Sequence, residues 1–379
     1  MYEEISSLID PSIELKIGFN EWDKFKNNEY NPDSKLVIIT SKSCKKFISG
    51  IDNEIIIIVK DEPSLDSVDY YFEKISKKIS NLNDKNINFI ALGGGSVIDT
   101  AKIICLMISN KIKTSEEAID RSSSEKLVEK YKIICIPTTA GTGAEITPFS
   151  TIWDKKNGLK HSIVAEKISR SIILDAKLTL SLPKKIIISS GIDCLCQILE
   201  STWSKNLNHL SLKSASKGYK YLIKNINSIL KNINNIQARE EMLVASFLGG
   251  ISISIANTTL CHSISYPLTA KLNIPHGLAC GFTLIEVIKF NSKLEDEFLK
   301  STLKTTGYEN SEILVEKIKE VLKNIEFKNL IRPHLNDVEK NLNNILPLTL
   351  NKRSSNNPVK ANLNEVEMII NKSLIRFNN

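Results

Sequence analysis

Asp193 and Gln197 stand four residues apart in GIDCLCQ, so on a helix they share one face. Two histidines follow in separate segments, His262 in HSISYP and His276 in PHG. One carboxylate and two imidazoles drawn from three places are a set that binds a divalent cation such as Fe²⁺ or Zn²⁺. An ion held there polarises a carbonyl or steadies an alkoxide. The chain has only five histidines. A histidine in a helical region is most often a packed or hydrogen-bonded residue, so spacing alone leaves both readings open.

A second chemistry is carried by glycines. Asn88 to Leu92 reads as a strand and runs straight into Gly93-Gly94-Gly95-Ser96, and a helical pattern starts at Val97. Glycines let backbone N–H groups approach an anion, and a helix N-terminus adds unpaired donors and partial positive charge. Ser96 is placed to cap that helix and to donate to a phosphate. A plain strand-to-helix turn is the alternative. The next strand ends in Pro137-Thr138-Thr139-Ala140-Gly141-Thr142-Gly143-Ala144-Glu145. Hydroxyls and glycines at the carboxyl end of a strand meet ligands in open α/β sheets. Together the two loops describe a dinucleotide-type site.

The elements that must position these groups differ between the two halves. Lys35–Thr40, Glu54–Lys60, Asn88–Leu92 and Lys132–Ile136 are short, apolar and β-branched. Ser64–Leu82 and Val97–Ser109 between them carry helical spacing. Apolar strands separated by helices predict a parallel sheet covered on both faces. Phe149–Asp154 and His161–Glu166 flank KKNG as a hairpin. After Leu182-Pro183 the pattern turns helical, over 187–203, 211–230, 238–256, 312–325 and 363–376, with no convincing strand. The polar stretch 351–361 reads as a loop. The expected organisation is an α/β dinucleotide-binding domain over 1–180 and an all-helical domain, binding metal and substrate, over 181–379.

Bulk properties set the class. At 379 residues the chain suits two domains, and 42% hydrophobic with 25% charged residues is ordinary for a globular protein. The net charge of +7 is spread along the chain, against a nucleic-acid binder and in favour of an anionic small substrate. Seven scattered cysteines suit free thiols in a reducing compartment. The N-terminal segment has no basic region followed by an apolar core, and no apolar run reaches the roughly 18 residues of a membrane span. The expectation is a soluble cytoplasmic protein.

The motifs, in this order, resemble the iron-containing (group III) alcohol dehydrogenase family over nearly the whole chain. GGGSVIDTAK is similar to its pyrophosphate loop, and PTTAGTGAE to its PTTAGTGSE loop, with Ala144 where serine is usual. ILDAKLTLSLP resembles the segment entering its helical domain. GIDCLCQILES resembles its G-x-D-A-x-x-H-A-x-E helix, and HSISYPLTAKLNIPHG its H-x-x-x-H-P-L…PHG segment. The resemblance implies a Rossmann-like N-terminal domain with a parallel sheet, an all-α C-terminal domain, a cleft between them and a homo-oligomer. It implies an Asp and three His as metal ligands. Asp193, His262 and His276 match, and the remaining ligand falls on Gln197. A glutamine oxygen is a weaker donor than imidazole for Fe²⁺ or Zn²⁺ and predicts loose binding, a harder ion or none. Neighbouring Cys196 points about 100° away. The family's additional histidine, assigned to proton relay, falls on Tyr266. A phenol with a pKa of about 10 needs help from metal or cofactor ribose in that role.

On the cofactor side the resemblance implies Gly94, Gly95, Ser96 and Asp99 at the pyrophosphate loop. It implies Thr138, Thr139 and Thr142 on the nicotinamide side, with Ser41 and Lys160 as further contacts. NAD-preferring members often carry an Asp where Ser41 stands. Its absence, with Lys42 next in the chain, favours NADPH over NADH. The form QxxES…HSISYPL…PHG is similar to the phosphonoacetaldehyde reductase (2-hydroxyethylphosphonate dehydrogenase) branch. That implies reduction of phosphonoacetaldehyde, with Tyr266 and His262 at the reaction and Lys160, Arg353 and Lys360 as candidate anion contacts. The alternatives are a general short-chain alcohol dehydrogenase, a dehydroquinate synthase-like cyclase and a metal-less nucleotide-binding relative.

Overall fold

In the computed structural model of the chain, the apolar runs of the first half pair as one parallel sheet. The structure describes residues 2–29, 35–51, 54–79, 87–168, 170–292 and 299–378. They divide into two units, one formed by 1–139 and 144–181, the other by 140–143 and 182–379.

In the first unit β1 (Glu14–Gly18), β2 (Lys35–Ser41), β3 (Glu54–Val59), β4 (Ile87–Gly93), β6 (Ile133–Pro137) and β9 (Arg170–Asp175) align in the order β1-β9-β6-β4-β2-β3. Every pairing is parallel. Between β2 and β3 the chain moves towards one edge, then returns across β2 to lay down β4. The switch point, where ligands enter such sheets, therefore lies between β2 and β4. Helices α1 (Tyr2–Ser6), α2 (Glu21–Asn28), α3 (Leu65–Ile79), α4 (Gly95–Ser109) and α5 (Ser115–Ser124) complete the unit. Residues 80–82 of the expected second-half-turn of α3 lie outside the described residues. The hairpin forms as read, with β7 (Phe149–Asp154) antiparallel to β8 (Leu159–Lys167), and β5 (Leu127–Val128) joins β8.

The second unit holds α6 (Lys184–Trp203), α7 (His209–Lys231), α8 (Ile236–Ala256), α9 (Leu260–Leu272) and α10 (His276–Asn291). It continues with α11 (Lys300–Thr306), α12 (Ser311–Asn324), α13 (Phe327–Lys340), α14 (Leu342–Ile345) and α15 (Leu363–Asn378). Among the described residues it has no strand, and no single helix is long and apolar enough to cross a membrane. The stretch 351–361 is loop with one short 3₁₀ turn at Ser354–Asn356.

Two features of this unit set the site. Helix α10 lies against the α6 backbone: a Cβ on Gly277 would stand 1.8 Å from Ser189 O, and one on Gly281 2.4 Å from Ile192 Cγ2. Glycines four apart put this bare stripe on one face, so the two helices touch where each carries polar side chains. Helix α9 contains Pro267, which cannot donate to Ser263 O four residues back. Asn351 Nδ2 donates to that carbonyl instead, at 3.4 Å, and Ser263 Oγ donates to Thr349 O. The loop around 350 thereby fixes the helix that bears His262.

Candidate functional site

Helix α6 is buried along most of its length, yet Asp193, Gln197 and Glu200 form a polar face at i, i+4 and i+7. Polar groups in such a place need partners. Asp193 finds them on α9 and α10: its Oδ1 is 3.4 Å from His262 Nε2 and 3.9 Å from His276 Nε2. Its Oδ2 accepts from Gln197 Nε2 at 3.3 Å. The sequence-predicted Asp193, His262 and His276 thus meet. Cys280, one helical turn after His276, completes a group whose four donor atoms all lie within 4.8 Å of one another.

Glu200 holds His262 from behind. The imidazole Nδ1 makes a short hydrogen bond to Glu200 Oε2, while Oε1 accepts from Thr259 N (3.1 Å), Thr259 Oγ1 (2.8 Å) and Cys261 N (2.8 Å). A carboxylate accepting at Nδ1 keeps a proton there, so Nε2, on the side of Asp193, is the nitrogen that would bind a metal. The sequence gives no role to Cys280, and Glu200 stands there only as the last letter of the motif that begins at Gly191. Glu200 is tied to His262 across 62 positions, and a cysteine on an apolar helix reads as core.

The donor set fits a divalent ion. His262 Nε2, on the side of Asp193, is a buried nitrogen that makes no hydrogen bond of good geometry, an atom an ion would satisfy. Burial opposes charge on His262. The acidic groups around it, Cys280, Glu200 and Asp193, outweigh it and hold the imidazole well above its usual range, so the ring itself carries positive charge where a bound cation would otherwise sit. Burial pushes the Cys280 thiol up, against the pull of His262.

Tyr266 follows His262 by one turn and is half-buried, its ring stacked on His276 at 6.1 Å between centroids. Arg353 donates to Asn257 Oδ1 at 2.5 Å, and Asn356 Nδ2 to Thr258 O at 3.0 Å. Arg353 therefore sits on the turn that leads into α9. Lys360 is exposed at the end of the same loop.

In the first unit, Ser41, Gly93–Ser96 and Thr138 follow the carboxyl ends of three adjacent parallel strands, β2, β4 and β6. Thr138 N donates to Gly93 O at 2.9 Å and joins the two loops. Gly94 stands against Thr139, where a Cβ would be 3.2 Å from Oγ1. The expected cap is corrected: Gly94, not Ser96, is the N-cap, and α4 begins at Gly95. Val97 N and Ile98 N already bond to Gly94 O, so the N–H groups left at the helix mouth are those of Gly95 and Ser96.

Asp99 accepts from Thr151 N at 3.0 Å and from Lys102 at 3.4 Å, which ties α4 to β7. Lys160 lies on β8 opposite Trp153, its ammonium 5.3 Å from that ring centroid. Trp153 N donates to Pro63 O, so Lys160 stands on the strand paired with the one that borders the loop following β3. Thr142 falls with Gly141 and Gly143 in the second unit. There Gly143, at φ +60, donates from its N to Ser246 Oγ at 3.2 Å.

The family described as "Iron-containing alcohol dehydrogenase" matches residues 27–176, and "Fe-containing alcohol dehydrogenase family, C-terminal" matches 187–374. The phosphonoacetaldehyde reductase of Streptomyces viridochromogenes is 30% identical over 53% of this chain and 52% of its own length. The sulfoacetaldehyde reductase of Bilophila wadsworthia is 31% identical over 64% of this chain and 60% of its own. The chain thus spans about half the length of these curated relatives. The crystal structure of sulfoacetaldehyde reductase from Bifidobacterium kashiwanohense in complex with NAD⁺ superposes with a TM-score of 0.79. It is 25% identical and covers 96% of this chain and 97% of that one. With both halves matched in order and the same fold throughout, the chain belongs to the iron-containing alcohol dehydrogenase family.

Proposed function

We infer that the protein reduces a small aldehyde to its alcohol with NADPH or NADH, and that the substrate is a two-carbon aldehyde ending in an oxyanion, phosphonoacetaldehyde first. The observation that carries the reading is the group Asp193, His262 and Cys280, all buried, with half-buried His276, braced by Glu200, in a chain of this family. The relatives named for phosphonoacetaldehyde and sulfoacetaldehyde support the substrate class, since both compounds join the same aldehyde to a tetrahedral anion. The net charge of +7 agrees.

Gly95 and Ser96 N–H groups would hold the pyrophosphate, Thr138 and Thr139 would lie on the nicotinamide side, and Ser41 would meet the adenosine ribose. A divalent ion held by Asp193, His262 and His276 would polarise the aldehyde oxygen, and a bound reduced nicotinamide would supply the hydride to the aldehyde carbon. Glu200 fixes the His262 tautomer that leaves Nε2 free to bind. Tyr266, against His276, delivers the proton that the product oxygen takes up. Arg353 and Lys160 are the basic residues assigned to anionic groups.

The test is loss of NADPH and NADH absorbance with phosphonoacetaldehyde, sulfoacetaldehyde and neutral short aldehydes, with Fe²⁺ or Zn²⁺ restored. The expected result is stoichiometric oxidation, faster with NADPH, and kcat/KM highest for phosphonoacetaldehyde. Oxidation of neutral aldehydes alone would establish a general alcohol dehydrogenase and reject the anionic substrate. Turnover without net loss of reduced cofactor would reject the reductase.

A further inference from the structure

The geometry points to Cys280 Sγ as the fourth metal ligand, beside Asp193, His262 and His276, with Gln197 serving Asp193 rather than the metal. This rests on the metal-assisted reading of the same site and goes beyond it in naming a thiolate donor. His276 and Cys280 are four apart on α10 and so share a face, with Sγ 3.9 Å from His276 Nε2. The glycine stripe of Gly277 and Gly281 sets α10 directly on α6, which brings that face to Asp193. The four donor atoms lie within 4.8 Å of one another, and a tetrahedral ion with bonds of about 2.0–2.3 Å draws its ligands to about 3.5 Å apart. Small side-chain adjustments close that difference.

Gln197 is already engaged. Its Nε2 donates to Asp193 Oδ2, while Oδ1 of the same carboxylate faces the two imidazoles. The two oxygens of Asp193 are thereby divided between a supporting donor and the ligand group. Turning the amide to offer Oε1 would set one acceptor against another. Charge also decides. Asp193 and a Cys280 thiolate together neutralise a 2+ ion in a buried site, whereas Gln197 would leave it with one negative ligand. Binding replaces the Sγ–H bond by an Sγ–metal bond and releases the proton to solvent, with no change of oxidation state. A thiolate shifts preference from harder ions towards Zn²⁺.

The full chain, stripped of metal and reloaded anaerobically with Co²⁺, reports the ligand directly. The expected result is one bound Co²⁺ per chain with a near-ultraviolet sulfur-to-cobalt charge-transfer band. Cys280→Ser removes the band and weakens Co²⁺ binding more than about 100-fold, beyond the loss of an outer partner. Cys196→Ser keeps it. A wild-type protein that binds Co²⁺ without the band overturns the assignment, whatever the variants do, and so does a band that survives in Cys280→Ser. No bound Co²⁺ overturns both this assignment and the metal-assisted part of the reading above. The reductase reading fails separately, in the cofactor oxidation assay.

Discussion

Glu200 shows how much a single buried atom decides. Its Oε1 takes backbone and hydroxyl donors from Thr259 and Cys261, and its Oε2 takes His262 Nδ1. In Glu200→Gln the new amide nitrogen cannot face those backbone N–H groups, so it must face Nδ1. Nδ1 then becomes the acceptor and the imidazole proton moves to Nε2, the nitrogen that faces Asp193. The predicted outcome is a folded protein with metal affinity lowered about 10- to 100-fold, read by competition with a chelator. An affinity equal to wild type would show that Glu200 only fills space. Asp193, His262 and His276 were legible in the sequence because their neighbours form long motifs. Glu200 ends the motif that begins at Gly191, but its role was not legible because its partner His262 lies on another helix, and Cys280 stood among apolar residues with no motif to mark it.

Among the elements, the segment leaving β6 is held by buried charge. Lys102 Nζ donates to Ala144 O at 2.9 Å and Phe149 O at 2.5 Å, and Arg170 donates to Glu145 O and Thr147 O while pairing with Glu129 at 2.7 Å. Glu145 lies in this segment with its carboxyl buried. Desolvation pushes its pKa up to about 7 from 4.5, against the pull of Lys102 and Arg170. Folded protein therefore holds a proton that unfolded chain has lost between pH 4.5 and 7, so this contribution is fully present below pH 4.5 and gone above 7. Glu145→Gln removes the linkage. Denaturant unfolding across that range should show wild type losing up to about 3 kcal/mol relative to the variant as pH rises. Parallel curves would place the Glu145 titration elsewhere. The central strands and long helices were readable from apolar runs and helical spacing. β1 and β9 were not: ELKIG is a partly exposed edge strand and RSIILD opens on a buried arginine, so neither looks like its neighbours. Helices α9 and α10 were hidden by Pro267 and by PHG, whose punctuation suits loops as well as the helix start at His276.

For the whole molecule the relevant quantity is its field. Fifty basic residues against forty-three acidic give +7 with no cluster that would select a polyanion, yet such a field still concentrates a small anion. Proposed substrates with a phosphonate or sulfonate feel it, and a neutral aldehyde of the same length does not. Raising ionic strength from about 0.01 M to about 0.1 M shortens the Debye length from about 30 Å to about 10 Å, which screens distant lysines and leaves direct contacts intact. With reduced cofactor saturating at each salt concentration, kcat/KM for phosphonoacetaldehyde should fall about threefold or more over that range, mostly through KM. A neutral aldehyde should stay flat. Arg353→Gln separates field from contact: it should lower kcat/KM for the anionic substrate at every salt concentration and leave the slope little changed. If both aldehydes lose activity together with salt, the charge of the molecule acts on cofactor or on stability, and the preference for an anionic substrate must come from contacts alone.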